Sequence, residues 1–78
     1  MDSIREYEQA MTEFRFKMHQ LGIAGIKEAI MRTWDEPEGC VVREIGFDII
    51  EELRGEEYAD ALYEELWEEM RWRKARVA

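Results

Sequence analysis

The sequence predicts an all-α protein, a compact bundle of three or four helices in one domain spanning residues 1–78. Apolar residues recur at steps of three and four through most of the chain, the signature of helices that bury one face. The composition is rich in Glu, Leu, Met, Ala and Arg and holds a single proline, which favours helix. No connection between periodic segments exceeds about five residues, and short connections join antiparallel neighbours. A chain of 78 residues buries only about 60% of the surface its unfolded form exposes, so a small core is expected.

In the first segment Ile4, Tyr7, Met11, Phe14, Met18 and Leu21 form one apolar stripe. Ser3 with Glu6 reads as a capping box at its start, and Gly22 as its left-handed stop. In the second, Ile23, Ile26, Ile30 and Trp34 share a face, and the run Asp35-Glu36-Pro37-Glu38-Gly39 ends it. Pro37 disfavours helical geometry at Glu36, and Asp35 with Glu38 reads as a second capping box. In the third, Val42, Ile45, Ile49 and Leu53 fit a helix. The β-branched pairs Val41-Val42 and Ile49-Ile50 leave a short strand near 40–45 as the alternative. Gly55 closes that segment. The fourth helix runs from about Glu56 to Lys74, with Ala59, Leu62, Tyr63, Leu66 and Met70 facing inward.

The inventory for catalysis is thin. His19 is the only histidine and falls off the apolar stripe of its helix; Cys40 is the only cysteine. No Glu-x-x-His pair, calcium loop or phosphate-cradling glycine loop is present. The residues point to a binding protein without cofactor rather than an enzyme, with weak divalent-cation binding at Glu64, Glu65, Glu68 and Glu69 as a minor alternative. A lone cysteine suits a reducing compartment. With neither a basic, apolar leader nor an apolar run of membrane-spanning length, the expectation is a cytoplasmic protein that does not enter membranes.

Charge is distributed unevenly about a net of −8. Residues 1–47 carry nine acids and six bases, a net of −3. Residues 48–70 carry ten acids against Arg54 alone, a net of −9. Residues 71–78 carry four bases and no acid, a net of +4. On a helix, Glu57, Asp60, Glu64 and Glu68 fall together opposite the apolar face, with Glu65 and Glu69 on a flank. Like charges one turn apart repel by a few tenths of a kcal/mol per pair, and Glu69 with Arg73 offers the one clear opposite-charge relief. Such a row suits docking on a basic protein surface. Phe16, about 180° from the first stripe, and Trp72, beside Glu65 and Glu68, are the candidate aromatic anchors. Phe47 also points off its stripe, where a four-helix arrangement would bury it from a second side.

Carboxylates at i and i+4 advance about 6 Å along the axis, against 3.4 Å per phosphate of one DNA strand. A row of them imitates a sparse phosphate backbone. In size and charge alone, the chain resembles phage-encoded inhibitors of restriction and CRISPR complexes, which implies an inhibitor or adaptor acting on a nucleic-acid-binding complex. The alternative is a self-associating structural or regulatory protein whose outward aromatics form a symmetric dimer. Nucleic-acid contact through Arg71-Trp72-Arg73-Lys74-Ala75-Arg76 is the weakest reading, because cations there also complement the helix dipole.

Overall fold

The computed structural model describes residues 2–77 and the side chains of residues 3–73. Four helices follow one another: α1 Asp2–Gln20, α2 Gly22–Arg32, α3 Gly39–Arg54 and α4 Glu56–Val77. No strand occurs among the described residues. The segment 40–45, with its β-branched pair, is the first turn and a half of α3. Packing overrides propensity here: Val42, Ile45, Ile49 and Ile50 are all buried, and that spacing has a helical partner surface but no strand to pair with.

The joints are tight. Gly22 takes φ +72° and Gly55 φ +91°, conformations that cost an L side chain energy and glycine none. Leu21 donates its N–H to the Met18 carbonyl at 3.1 Å, and Gly55 donates to Glu51 at 2.8 Å. Between α2 and α3 the chain makes consecutive turns: Thr33 N–H to Ala29 O at 3.1 Å, Glu36 to Thr33 at 3.0 Å, Gly39 to Glu36 at 2.9 Å.

Neither expected capping residue stands at the cap of its helix. α1 begins at Asp2, so Ser3 stands inside its first turn rather than at its cap. α3 has Glu38 at its N-cap, with no capping hydrogen bond from the side chain. The Glu36 and Glu38 carboxyls instead hydrogen-bond to each other, which raises the pKa of Glu36 and lowers that of Glu38.

α3 is the centre of the fold and packs against each of the other three helices. Ile26, Ile30, Ile49, Ile50 and Leu66 are fully buried, and Met18, Ala29, Trp34, Val42, Ala59, Leu62 and Met70 complete the core with Ile45. The Cα atoms span 46 × 30 × 17 Å. The short dimension holds two helix layers at the usual interaxial distance of about 8–10 Å, so the outer face of each layer is wet.

That shape corrects the first stripe. Burial runs from Met18 back through half-buried Phe14 and Met11 and stops there; every side chain from Ser3 to Ala10 is exposed. Ile4 and Tyr7 are 68% and 65% exposed, because α1 runs past the body and nothing faces its first two turns. Leu21, Leu53 and Tyr63, expected inside, are exposed as well. α1 is held at its other end, where Arg15 donates to Asp48 at 2.6 Å and to Glu52 at 2.7 Å. The Asp48 hydrogen bond is the largest cause that raises the Arg15 pKa further above its ordinary value. Being partly exposed, the pair is worth little: Arg15→Met should cost about 1 kcal/mol, less in high salt. Urea melts at two ionic strengths check this, and a loss several times larger would mean the bridge anchors α1 outright.

Candidate docking surface

α4 sorts its side chains around the helix. Ala59, Leu62, Leu66 and Met70 are buried against α3. Opposite them, Glu57, Asp60, Glu64 and Glu68 are exposed and make no ion pair or hydrogen bond among the described residues. The two flanking acids differ. Glu65 lies 3.8 Å from Lys27 of α2, and Glu69 accepts from Arg73 at 3.2 Å. Of the six acids read from the sequence as a docking set, four are therefore uncompensated among the described residues and two are used inside the molecule. Among the described residues no group of three or more acids, histidines or cysteines is gathered as metal ligands, so Glu64, Glu65, Glu68 and Glu69 do not converge on an ion.

The two aromatic anchors inferred from the sequence are exposed but isolated. Phe16 is 64% and Trp72 63% exposed, and neither touches another ring. Phe16 lines a shallow depression with Thr12, Arg15 and His19. Arg73 is turned back to Glu69, and the basic side chains of Lys74 and Arg76 lie outside the described residues.

The structure assembles a different aromatic surface. Where α4 leans on α3 and on the turn before it, four rings form a ladder. Phe47 meets Tyr63 edge-on at 5.2 Å, Tyr63 meets Trp67 at 6.1 Å, and Trp67 meets Trp34 at 5.0 Å. Trp34 and Phe47, the end rungs, are buried and half-buried; Tyr63 and Trp67 remain 44% and 43% exposed. Burial of Phe47 by α4 is the outcome the sequence favoured. Beyond Trp34 the ladder ends on Arg43, whose guanidinium lies 4.7 Å above that ring and donates to the Trp34 carbonyl at 2.9 Å.

Two open depressions run beside the ladder and share Tyr63. One, of about 440 Å³, is walled by Phe47, Tyr63, Ile45 and Ala59 and rimmed by Glu44, Asp48, Glu51 and Asp60. The other, of about 560 Å³, lies between Tyr63 and Trp67 and adds Glu64, Glu68 and Arg71. Together they make an aromatic groove with an acidic rim that starts at the α3/α4 seam and continues along α4. The exposed row of α4 is one wall of it. No family model, curated protein or solved structure matches this chain.

The ring ladder behind the groove draws on three separate segments of chain, so no local pattern announces it. The one legible trace was Tyr63 with Trp67 at i and i+4 on a helix otherwise dense in acids. No described helix is long and apolar enough to cross a membrane. What the surface can do chemically is hold a cationic, partly apolar object: carboxylates supply charge, and ring faces supply contact area with a negative quadrupole.

Proposed function

We propose that this protein is a binding module, an inhibitor or adaptor, that docks on a basic protein surface through the α4 row and the aromatic groove beside it. The observation that carries this is the pairing of four exposed carboxylates, Glu57, Asp60, Glu64 and Glu68, unpaired among the described residues, with exposed Tyr63 and Trp67 on the adjoining side of one helix. Charge steers the encounter and sets its salt dependence, and buried rings slow the departure. A basic surface that normally holds nucleic acid is the partner best matched, since the row repeats negative charge along a line.

The test replaces Glu57, Asp60, Glu64 and Glu68 together by Gln. Fold stability should stay level or rise slightly as like-charge repulsion is relieved. Immobilised parent protein should retain a basic partner that the variant does not, with association slowed and the salt slope flattened. Added polynucleotide should compete if the partner surface is a nucleic-acid site. Equal retention by parent and variant at both low and high salt would rule out the acidic row as the docking element.

A second reading, self-association, is favoured by Ile4 and Tyr7, which continue the core stripe of α1 out into solvent. A dimer sealed there would gain mass with concentration, be indifferent to salt, and dissociate on Tyr7→Glu. Sedimentation showing a monomer at all concentrations would remove it.

A further inference from the structure

We propose that the cleft between Phe47 and Tyr63 is a receptor for one arginine side chain of the partner. The inference rests on the docking reading above and names the chemical group that fills one place in it. The cleft, about 440 Å³ and open on one side, offers ring surface on its walls and carboxylates on its rim. Asp48 is committed to Arg15. Glu44, Glu51 and Asp60 are exposed and make no ion pair or hydrogen bond among the described residues. Three unrelieved negative charges exclude an anion, and a purely apolar occupant would strip water from carboxylates and give nothing back. The complementary occupant is a cation.

Arginine suits the walls better than lysine. Its guanidinium is flat and weakly hydrated, so it can stack on a ring while its N–H fork reaches carboxylates at the edge. An ammonium keeps its water and behaves as a point charge. The molecule itself shows both halves of this recognition. One turn along α3, the i, i+4 pair Asp48 and Glu52 takes a guanidinium through two separate nitrogens, at 2.6 and 2.7 Å. Elsewhere Arg43 lies over Trp34 at 4.7 Å and Arg54 over Tyr58 at 5.7 Å. The cleft combines a ring wall and a carboxylate rim, and among the described residues no arginine stacks on Phe47 or Tyr63. Tyr63 is engaged edge-on by Phe47 and Trp67 and yet remains 44% exposed, which leaves ring surface for an incoming side chain.

Three lysine-rich peptides of equal length test this against the full chain by fluorescence anisotropy at low ionic strength. One is all lysine, one carries a single central arginine, and one carries citrulline there, with nearly the same shape and no charge. The arginine peptide should bind about fivefold tighter than the all-lysine peptide, a difference within reach of one desolvated cation–π contact. The citrulline peptide should show no gain. Glu51→Gln, at an exposed and unpaired position, should melt like the parent and erase most of the arginine gain. Tyr63→Leu should erase it too while leaving the all-lysine affinity unchanged. Equal binding of the arginine and lysine peptides would overturn the receptor, as would a gain that survives both substitutions. The docking reading would then still stand if Glu57→Gln, Glu64→Gln and Glu68→Gln, all outside this cleft, together weakened every peptide. If no peptide bound at low salt, both proposals would fall.

Discussion

Leu66→Asp should cost about 4–5 kcal/mol and leave the protein largely unfolded, whereas Met11→Asp should cost about 1 kcal/mol. Both residues sit on the apolar stripe of their helix, and periodicity alone makes them equivalent. Their surroundings do not. Leu66 is fully buried, on the α4 face that packs against α3, so an aspartate there must either ionise without a partner or stay protonated. Met11 is only half-buried, at the point where α1 leaves the body, and a carboxylate there can swing into water. A domain of this size has a total stability of only about 5–10 kcal/mol, so the first change consumes most of it. Thermal and urea melts followed by circular dichroism read the difference. Equal destabilisation by the two substitutions would mean that α1 is sealed along its whole length, contrary to the exposure of Ile4 and Tyr7.

The contrast marks what the sequence could and could not convey. Four helices and their glycine stops were legible because each depends on residues within a turn or two of one another. Gly22 and Gly55 sit at positive φ for that reason. Periodicity also identifies which residues share a face, and it picked Met18, Ile26, Ile49 and Leu66 correctly. It says nothing about whether a second helix stands opposite that face. Ile4, Tyr7, Leu53 and Tyr63 were placed inside for want of that information. The alternative of a short strand near 40–45 gave way to the helix for a related reason: local β-branching was outvoted by α2, against whose Ile26 and Ile30 Gly46 packs closely.

For the site, the acidic row was legible and the groove was not. Glu57, Asp60, Glu64 and Glu68 are one element, so helical geometry alone brings them together. Trp34, Phe47, Tyr63 and Trp67 come from a turn and two helices and meet only through tertiary packing. Conversely, Phe16 and Trp72 stood out because each lies off its stripe, and the structure gives them exposure but no ring neighbours. An aromatic out of phase in one helix is a weaker signal than several rings drawn into one seam.

Gly39→Ala should cost about 2–3 kcal/mol, a large effect for one methyl group, and should disturb the aromatic seam as well. A Cβ on Gly39 would overlap the carbonyl oxygen of Thr33 and approach that of Trp34 to 3.1 Å. Neither oxygen is free to move. Thr33 O accepts the Glu36 N–H at 3.0 Å, and Trp34 O accepts from Arg43 at 2.9 Å. Relieving the clash therefore opens the turn that delivers Trp34 to Trp67, and near-ultraviolet circular dichroism should lose intensity along with stability. Gly46→Ala provides the comparison inside the same helix. There the new methyl would meet Ile26 Cγ2 at 2.9 Å and Ile30 Cδ1 at 3.0 Å, side-chain atoms that can shift by rotamer. Helix propensity meanwhile favours alanine over glycine by about 1 kcal/mol and offsets part of the crowding. Gly46→Ala should thus be the milder substitution, with the aromatic spectrum intact. If Gly39→Ala melted within about 0.5 kcal/mol of the parent and kept its near-ultraviolet signal, the Thr33–Gly39 turn would be looser than described, and the placement of Trp34 at the end of the ladder would have to come from α4 alone.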